Sequence, residues 1–153
     1  MHSSTNYSVV EYLKQRTCPH VLLKGKAVVR EAHPITLYNS EPEPDIAIVA
    51  TPHTNYFTRH PCPQDIYWLV EISNRTLKSD LEKKSITYAC NGIPEYWIID
   101  LVNKQIIVHA KPINNSYSQV RHVAFGTITT HAFPELAIAK LAEGIALDKL
   151  LLF

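Results

Sequence analysis

The chain has almost no excess charge: 15 Lys and Arg stand against 14 Asp and Glu, giving a formal net charge of +1. Composition therefore offers no broad basic surface for neutralising phosphates, although a local basic face is compatible with it. Paired cysteines are missing too. Cys18, Cys62 and Cys90 are widely spaced and odd in number, which reads as reduced thiols rather than a disulfide framework. Cys18-Pro19-His20 and His60-Pro61-Cys62 are too tight and too isolated for a zinc cluster. There is no charged start followed by an apolar stretch, and no apolar run long enough to span a bilayer. These absences point away from secretion and from the membrane, and toward the cytoplasm. No internal repeat and no low-complexity tract interrupts the chain. His53, His60, His109, His122 and His131 show no helical i, i+4 pairing and are expected to be surface or hydrogen-bonded residues.

What remains is a chain of 153 residues, 46% of them hydrophobic, which fits one domain around one core over residues 1–153. Ser8 and Glu11 have capping-box spacing, so a short first helix is expected to run to about Arg16. Ala27–Arg30 alternates and is β-branched, the mark of a strand. Asp45–Val49 and Tyr67–Ile72 are compact apolar runs, each carrying one acid. Continuous apolar strands of this kind are usually buried on both faces, which places them centrally in a mixed sheet. A loop fills about residues 51–65 between them. A second capping-box spacing, Ser79 to Glu82, predicts a helix to Cys90 or Asn91, with Gly92 taking the left-handed stop and Pro94 preventing continuation. Tyr96–Asp100 and Gln105–His109 then read as a hairpin turning at 102–104, Tyr117–Ala124 as a further strand, and Ala137–Leu150 as a helix weakened at Gly144. The order implies an α/β or α+β sandwich.

Asp45 and Glu71 sit where apolar residues would be more stable. A buried, ionised carboxylate without a partner costs several kcal/mol, so each needs an explanation. Either Asp45 ends a loop and Glu71 emerges into solvent, or both line a site. Leu81, Lys84 and Tyr88 fall at i, i+3 and i+7 and share one helical face. That stripe points Lys84 inward, toward a carboxylate. The competing partner is Asp80, four residues earlier and well oriented for a surface pair. Together Asp45, Glu71 and Lys84 suggest one chemistry. Mg²⁺ or Mn²⁺ prefers one or two carboxylates, with water and phosphate completing the shell. The metal activates water, and an ammonium orients that water or offsets transition-state charge. Asp45, Glu71 and the Ile72 backbone carbonyl would be the metal ligands, with Ser73 orienting the cluster.

Several short motifs, in this order and spacing, resemble a known family. Glu43-Pro44-Asp45, Val70-Glu71-Ile72-Ser73, Asp80 with Lys84 and Tyr88, and Gly92-Ile93-Pro94-Glu95-Tyr96-Trp97-Ile98-Ile99-Asp100 are similar to those of the Uma2 family. That family comprises restriction-endonuclease-like domains expanded in cyanobacteria. The resemblance implies the PD-(D/E)XK nuclease fold, a central mixed β-sheet flanked by helices. It carries the second core motif onto Pro44-Asp45 and the acid of the third onto Glu71. Ser73 stands where that motif has its usual lysine, and Lys84 on the following helix supplies the charge instead. Lys84 and Tyr88 have the spacing of a Gln-x-x-x-Tyr motif in related nucleases. The resemblance also implies a domain shortened at its N-terminus, with His2 near a family histidine. Glu11 is not read as the first-helix acid of the site.

The function expected is a metal-dependent endonuclease hydrolysing phosphodiester bonds of DNA. The rival expectation is a catalytically inactive domain of the same fold that binds a partner or forms a homodimer. Tyr96-Trp97 and the loop with Tyr56 and Phe57 would then supply contact surface, although aromatic strands are more often core. Hydrolysis at Ser73 is disfavoured, because no G-x-S-x-G turn surrounds it.

Overall fold

The computed structural model describes residues 27–74 and 78–124. The first helix expected from Ser8, the last over 137–150, His2, Glu11, Cys18, His20 and His131 lie outside the described residues.

Among the described residues six strands form one sheet in sequence order: β1 (Ala27–Glu31), β2 (Ile46–Ala50), β3 (Ile66–Ser73), β4 (Glu95–Asp100), β5 (Gln105–Ile113) and β6 (Ser116–Ala124). Every neighbouring pair is antiparallel except β3 and β4, which are parallel. A parallel pair needs a crossover, because a tight turn can only reverse the chain. Helix α1 (Lys78–Cys90) lies between them in sequence and makes that crossing.

The apolar runs behave as expected of a sheet covered on both sides. On one face Ile46, Ile48, Trp68, Val70, Trp97 and Ile99 are buried, with the two indoles 5.5 Å apart. On the other, Ala47, Leu69, Tyr96 and Ile98 join Tyr88 and Ala89 of α1 and Ile35 and Leu37 of the β1–β2 connection in one core cluster. Truncating a buried Trp in such a layer costs about 3–5 kcal/mol. Tyr96 and Trp97 are fully buried and Tyr56 nearly so. These three are core and not contact surface; of the aromatics named for that role, only Phe57 is exposed. The loop over 51–65 holds two short 3-10 turns, His53–Phe57 and Pro63–Asp65.

Helix α1 begins earlier than its capping-box spacing suggests. Lys78 and Ser79 are already helical, so Ser79 is an N-terminal helical residue rather than the cap preceding it. Its C-terminus follows expectation. Gly92 has φ +71°; its amide donates to the Ala89 carbonyl at 2.9 Å, and the Ile93 amide to that of Tyr88 at 3.0 Å. That pair of bonds is a Schellman stop, and it seats Tyr88 and Ile93 together in the core. At the β4–β5 turn, Asp100 accepts from the Val102 and Asn103 amides, the Asx-type closure typical of Asp in turns. Strand β5 continues to Ile113, beyond the expected end at His109, because Pro112 and Ile113 still pair with Tyr117 and Ser116.

Candidate active site

The β2–β3 register builds the site. Ile46 pairs with Val70 and Ala47 with Leu69; one step further along the antiparallel ladder, Asp45 comes opposite Glu71. Alternation puts both on the face covered by α1. Asp45 ties the two strand ends together. Its amide donates to Glu71 Oε1 at 3.3 Å, and its Oδ2 accepts from the Ile72 amide at 2.7 Å. Glu71 is therefore not a residue emerging into solvent, for it is only 4% exposed.

Helix α1 supplies the other oxygen's partners. Tyr88 donates its hydroxyl to Glu71 Oε2 at 3.1 Å. Lys84 Nζ lies 3.1 Å from the same oxygen, with its side chain 48% exposed. Lys84 thus sits at the exposed rim with its ammonium on a buried acid. Asp80 is exposed in the first turn and makes no ion pair with Lys84 among the described residues. Ser73 ends β3 two residues beyond Glu71 on the same face, and its carbonyl accepts from the Leu101 amide at 2.8 Å.

Burial pushes the Glu71 carboxyl above the usual range; the Lys84 ammonium draws it back, and Asp45 pushes it up again. Burial and the neighbouring Glu71 charge likewise raise Tyr88 strongly, so Tyr88 stays a protonated donor. The cluster thus holds two acids and one half-exposed ammonium, which pairs with Glu71, and a further cation beside them would favour the ionised form of Glu71. Carboxylate oxygens suit a hard divalent ion. Glu71 Oε2 already accepts from both Tyr88 and Lys84, whereas Oε1 accepts only from the Asp45 amide among the described residues and keeps a second lone pair. No third His, Cys, Asp or Glu joins them as a metal group among the described residues. A bound ion would therefore take backbone, water or substrate oxygens for the rest of its shell.

Tyr96 was assigned no part in the site by sequence reasoning, yet it lies on the Glu71 face, its ring 4.9 Å from that of Tyr88. Only the parallel β3–β4 register reveals this, and nothing in the linear sequence prints a register. His109 is buried, with Nδ1 3.1 Å from the Tyr96 carbonyl, in keeping with a hydrogen-bonded histidine. Cys62 and Cys90 are free thiols. No helix among the described residues is long and apolar enough to cross a membrane.

This fold has solved counterparts. A structure from Anabaena variabilis ATCC 29413, described as "a putative nuclease belonging to DUF820", aligns with TM-score 0.65 at 16% identity, covering 94% of this chain and 81% of that one. The type IIG restriction endonuclease BpuSI aligns with TM-score 0.53 at 11% identity; 97% of this chain is covered but only 16% of that much longer one. The fold is restriction-endonuclease-like, a mixed sheet with the helical crossover beside it. No curated protein matches the chain. In sequence, residues 2–142 match the Uma2 family, described as "Putative restriction endonuclease", and the chain belongs to that family.

Proposed function

We propose that this chain is a metal-dependent endonuclease that hydrolyses phosphodiester bonds of DNA at the Asp45–Glu71–Lys84 cluster. The observation that carries this reading is the meeting of two carboxylates across adjacent strand ends with a rim lysine on the outer oxygen of Glu71. A buried acid pair of this kind contributes little to stability, but it is what phosphoryl chemistry requires. Asp45, Glu71 and the Ile72 carbonyl would hold Mg²⁺ or Mn²⁺. When bound, such an ion supplies activated water and neutralises charge on the phosphate.

The chain's own groups have separable tasks. The Ile72 amide fixes the Asp45 carboxylate, and Tyr88 fixes Glu71, so neither must reorganise as substrate arrives. Lys84, with its ammonium at the solvent edge, meets the phosphate and orients the attacking water. Hydrolysis forms one bond from water oxygen to phosphorus and breaks one to the departing oxygen; the proton the water loses is matched by the one the departing oxygen gains. Ser73, on the same face, would contact the phosphate or support the cluster.

Cleavage of supercoiled plasmid in Mg²⁺ or Mn²⁺ tests the proposal. Wild-type protein should nick or linearise the DNA, and Asp45→Ala, Glu71→Ala and Lys84→Ala should each lower the rate by at least roughly a hundredfold. Activity that survives Glu71→Ala unchanged belongs to a contaminant and removes the proposal.

One observation favours a second reading, an inactive nuclease-fold domain that binds a partner or a second copy. Both Glu71 oxygens are already engaged by groups of the chain itself, as in a purely structural network. Failure to cleave DNA with any divalent metal, together with a dimer on sizing, would establish this second reading.

A further inference from the structure

Tyr96 is fully buried, and its hydroxyl has no hydrogen-bond partner among the described residues. Phenylalanine would fill nearly the same volume without burying a polar group, and a buried hydroxyl left unpaired is costly. Folded proteins rarely leave such a group orphaned; where no protein atom serves, an ordered water commonly does.

The surroundings say where that water belongs. Tyr96 pairs with Leu69 and Ile98 with Glu71, so the tyrosine lies on the Glu71 face, two residues before the position opposite the acid. Tyr88 packs edge-on against its ring at 4.9 Å and 75°, while bonding Glu71 through its own hydroxyl. His109 stacks on the ring at 5.1 Å. The ring is thus held between Tyr88 and His109. Burial first, and then the charges of Glu71, Tyr117 and Asp45, raise its pKa. The hydroxyl therefore remains a donor, within the electrostatic reach of both carboxylates.

We propose that Tyr96 is a positioning residue of the acidic site, its hydroxyl donating to a buried water that bridges to the Asp45–Glu71 carboxylate pair. A water held by a phenol and two carboxylates has the two to four polar partners a buried water needs. Through it Tyr96 orients the acids from below, as Tyr88 does from the helix. This role rests on the metal-site reading for its consequence, though not for the existence of the water.

The test uses the whole chain as wild type and as Tyr96→Phe. A crystal structure of metal-free wild type should show water within hydrogen-bond distance of Tyr96 Oη and at least one of the two carboxylates, and the variant should lack it. Calorimetric titration with Mn²⁺ should show binding weakened by about ten- to a hundredfold in the variant, as when groups that orient metal ligands are removed. The thermal midpoint should fall by only a few degrees, because phenylalanine keeps the ring packing and a single hydrogen bond is lost. No water at Tyr96 Oη in wild type overturns the proposal, and so does Mn²⁺ affinity equal in both proteins. If wild type binds no Mn²⁺, the metal reading fails separately, and the crystallographic water alone decides whether Tyr96 holds one.

Discussion

Asp45 and Glu71 are locked to each other through backbone amides, against the mutual repulsion of their charges. The Asp45 amide donates to Glu71 Oε1 at 3.3 Å, while the Asp45 carboxylate accepts from the Ile72 amide, the residue next to Glu71, at 2.7 Å. One residue therefore does two jobs, closing the strand pair and presenting a carboxylate. Asn and Ala replacements separate the two. Asp45→Asn keeps an acceptor for the Ile72 amide and should unfold at nearly the wild-type temperature, yet bind Mn²⁺ at least tenfold more weakly, roughly the loss of one charged ligand. Asp45→Ala should lose both, with stability lower by about 1–3 kcal/mol because the amide is left unpaired. Denaturation and calorimetry on the two variants check this; equal Mn²⁺ affinity in wild type and Asp45→Asn would remove Asp45 from any metal site.

Lys84 separates function from stability more sharply. Its side chain is 48% exposed while the Glu71 side chain is 6% exposed, so solvent screens the pair and its net worth is at most about 1 kcal/mol. Lys84→Ala should therefore shift the thermal midpoint by only a few degrees while lowering plasmid cleavage by at least roughly a hundredfold. Asp80→Ala is the companion control. Because Asp80 is exposed and Lys84 reaches Glu71 instead, its loss should leave cleavage within about twofold and weaken only the helix start, by about 0.3–1 kcal/mol. Cleavage that falls equally in both variants would return Lys84 to Asp80 as its working partner.

The order of strands and helix was largely legible because it rests on local signals. The apolar runs around Ile48 and Trp68, the Gly92 stop and the 102–104 turn each declare themselves within a few residues. The helical stripe also aimed Lys84 toward a carboxylate: its ammonium meets Glu71, although the residue itself stays exposed at the rim of α1. Tyr96 could not be read in the same way. Its place beneath Glu71 depends on the parallel pairing of β3 with β4, a relation between segments some 25 residues apart that no local pattern encodes. The start of α1 was misjudged for the opposite reason: Ser79 and Glu82 have the spacing of a cap, but the helix continues through Ser79 to Lys78. Capping spacing is a weak prior that tertiary context overrides.

Gly92 offers a test of how far the helix end governs the site. Its φ of +71° is a left-handed conformation, and a Cβ added there meets nothing within 4 Å. Replacement by alanine is thus penalised by backbone conformation alone, about 1 kcal/mol. Gly92→Ala should lower the thermal midpoint by several degrees for a chain of this size. Because the Schellman bonds seat Tyr88 rather than creating its contact to Glu71, Mn²⁺ affinity at 25 °C should stay within about twofold of wild type. A loss of affinity as large as that of Asp45→Asn would mean that the helix end positions the site as well as closing the helix.

The last prediction concerns pH in protein stripped of metal by EDTA. Burial raises the Glu71 carboxyl above its ordinary value of 4.5, the Lys84 ammonium opposes that rise, and Asp45 adds to it. A raised folded-state pKa means that the folded protein holds its proton more tightly than the unfolded chain does. Below the unfolded value both states are protonated and no penalty arises. As pH climbs through the unfolded and then the folded value, the unfolded chain ionises first, and folding stability falls until Glu71 is charged in both states. Glu71→Gln cannot ionise, yet it retains an oxygen for the Tyr88 hydroxyl. Its stability should match wild type near pH 4 and exceed it by neutral pH, by about 1 kcal/mol or more per unit of separation between the two pKa values. Urea denaturation from pH 4 to 8 measures the difference. A gap that stays constant across that range would show that Glu71 titrates alike in both states, and Mn²⁺ restored to the wild type should narrow any gap that does open, because a bound cation favours the ionised acid.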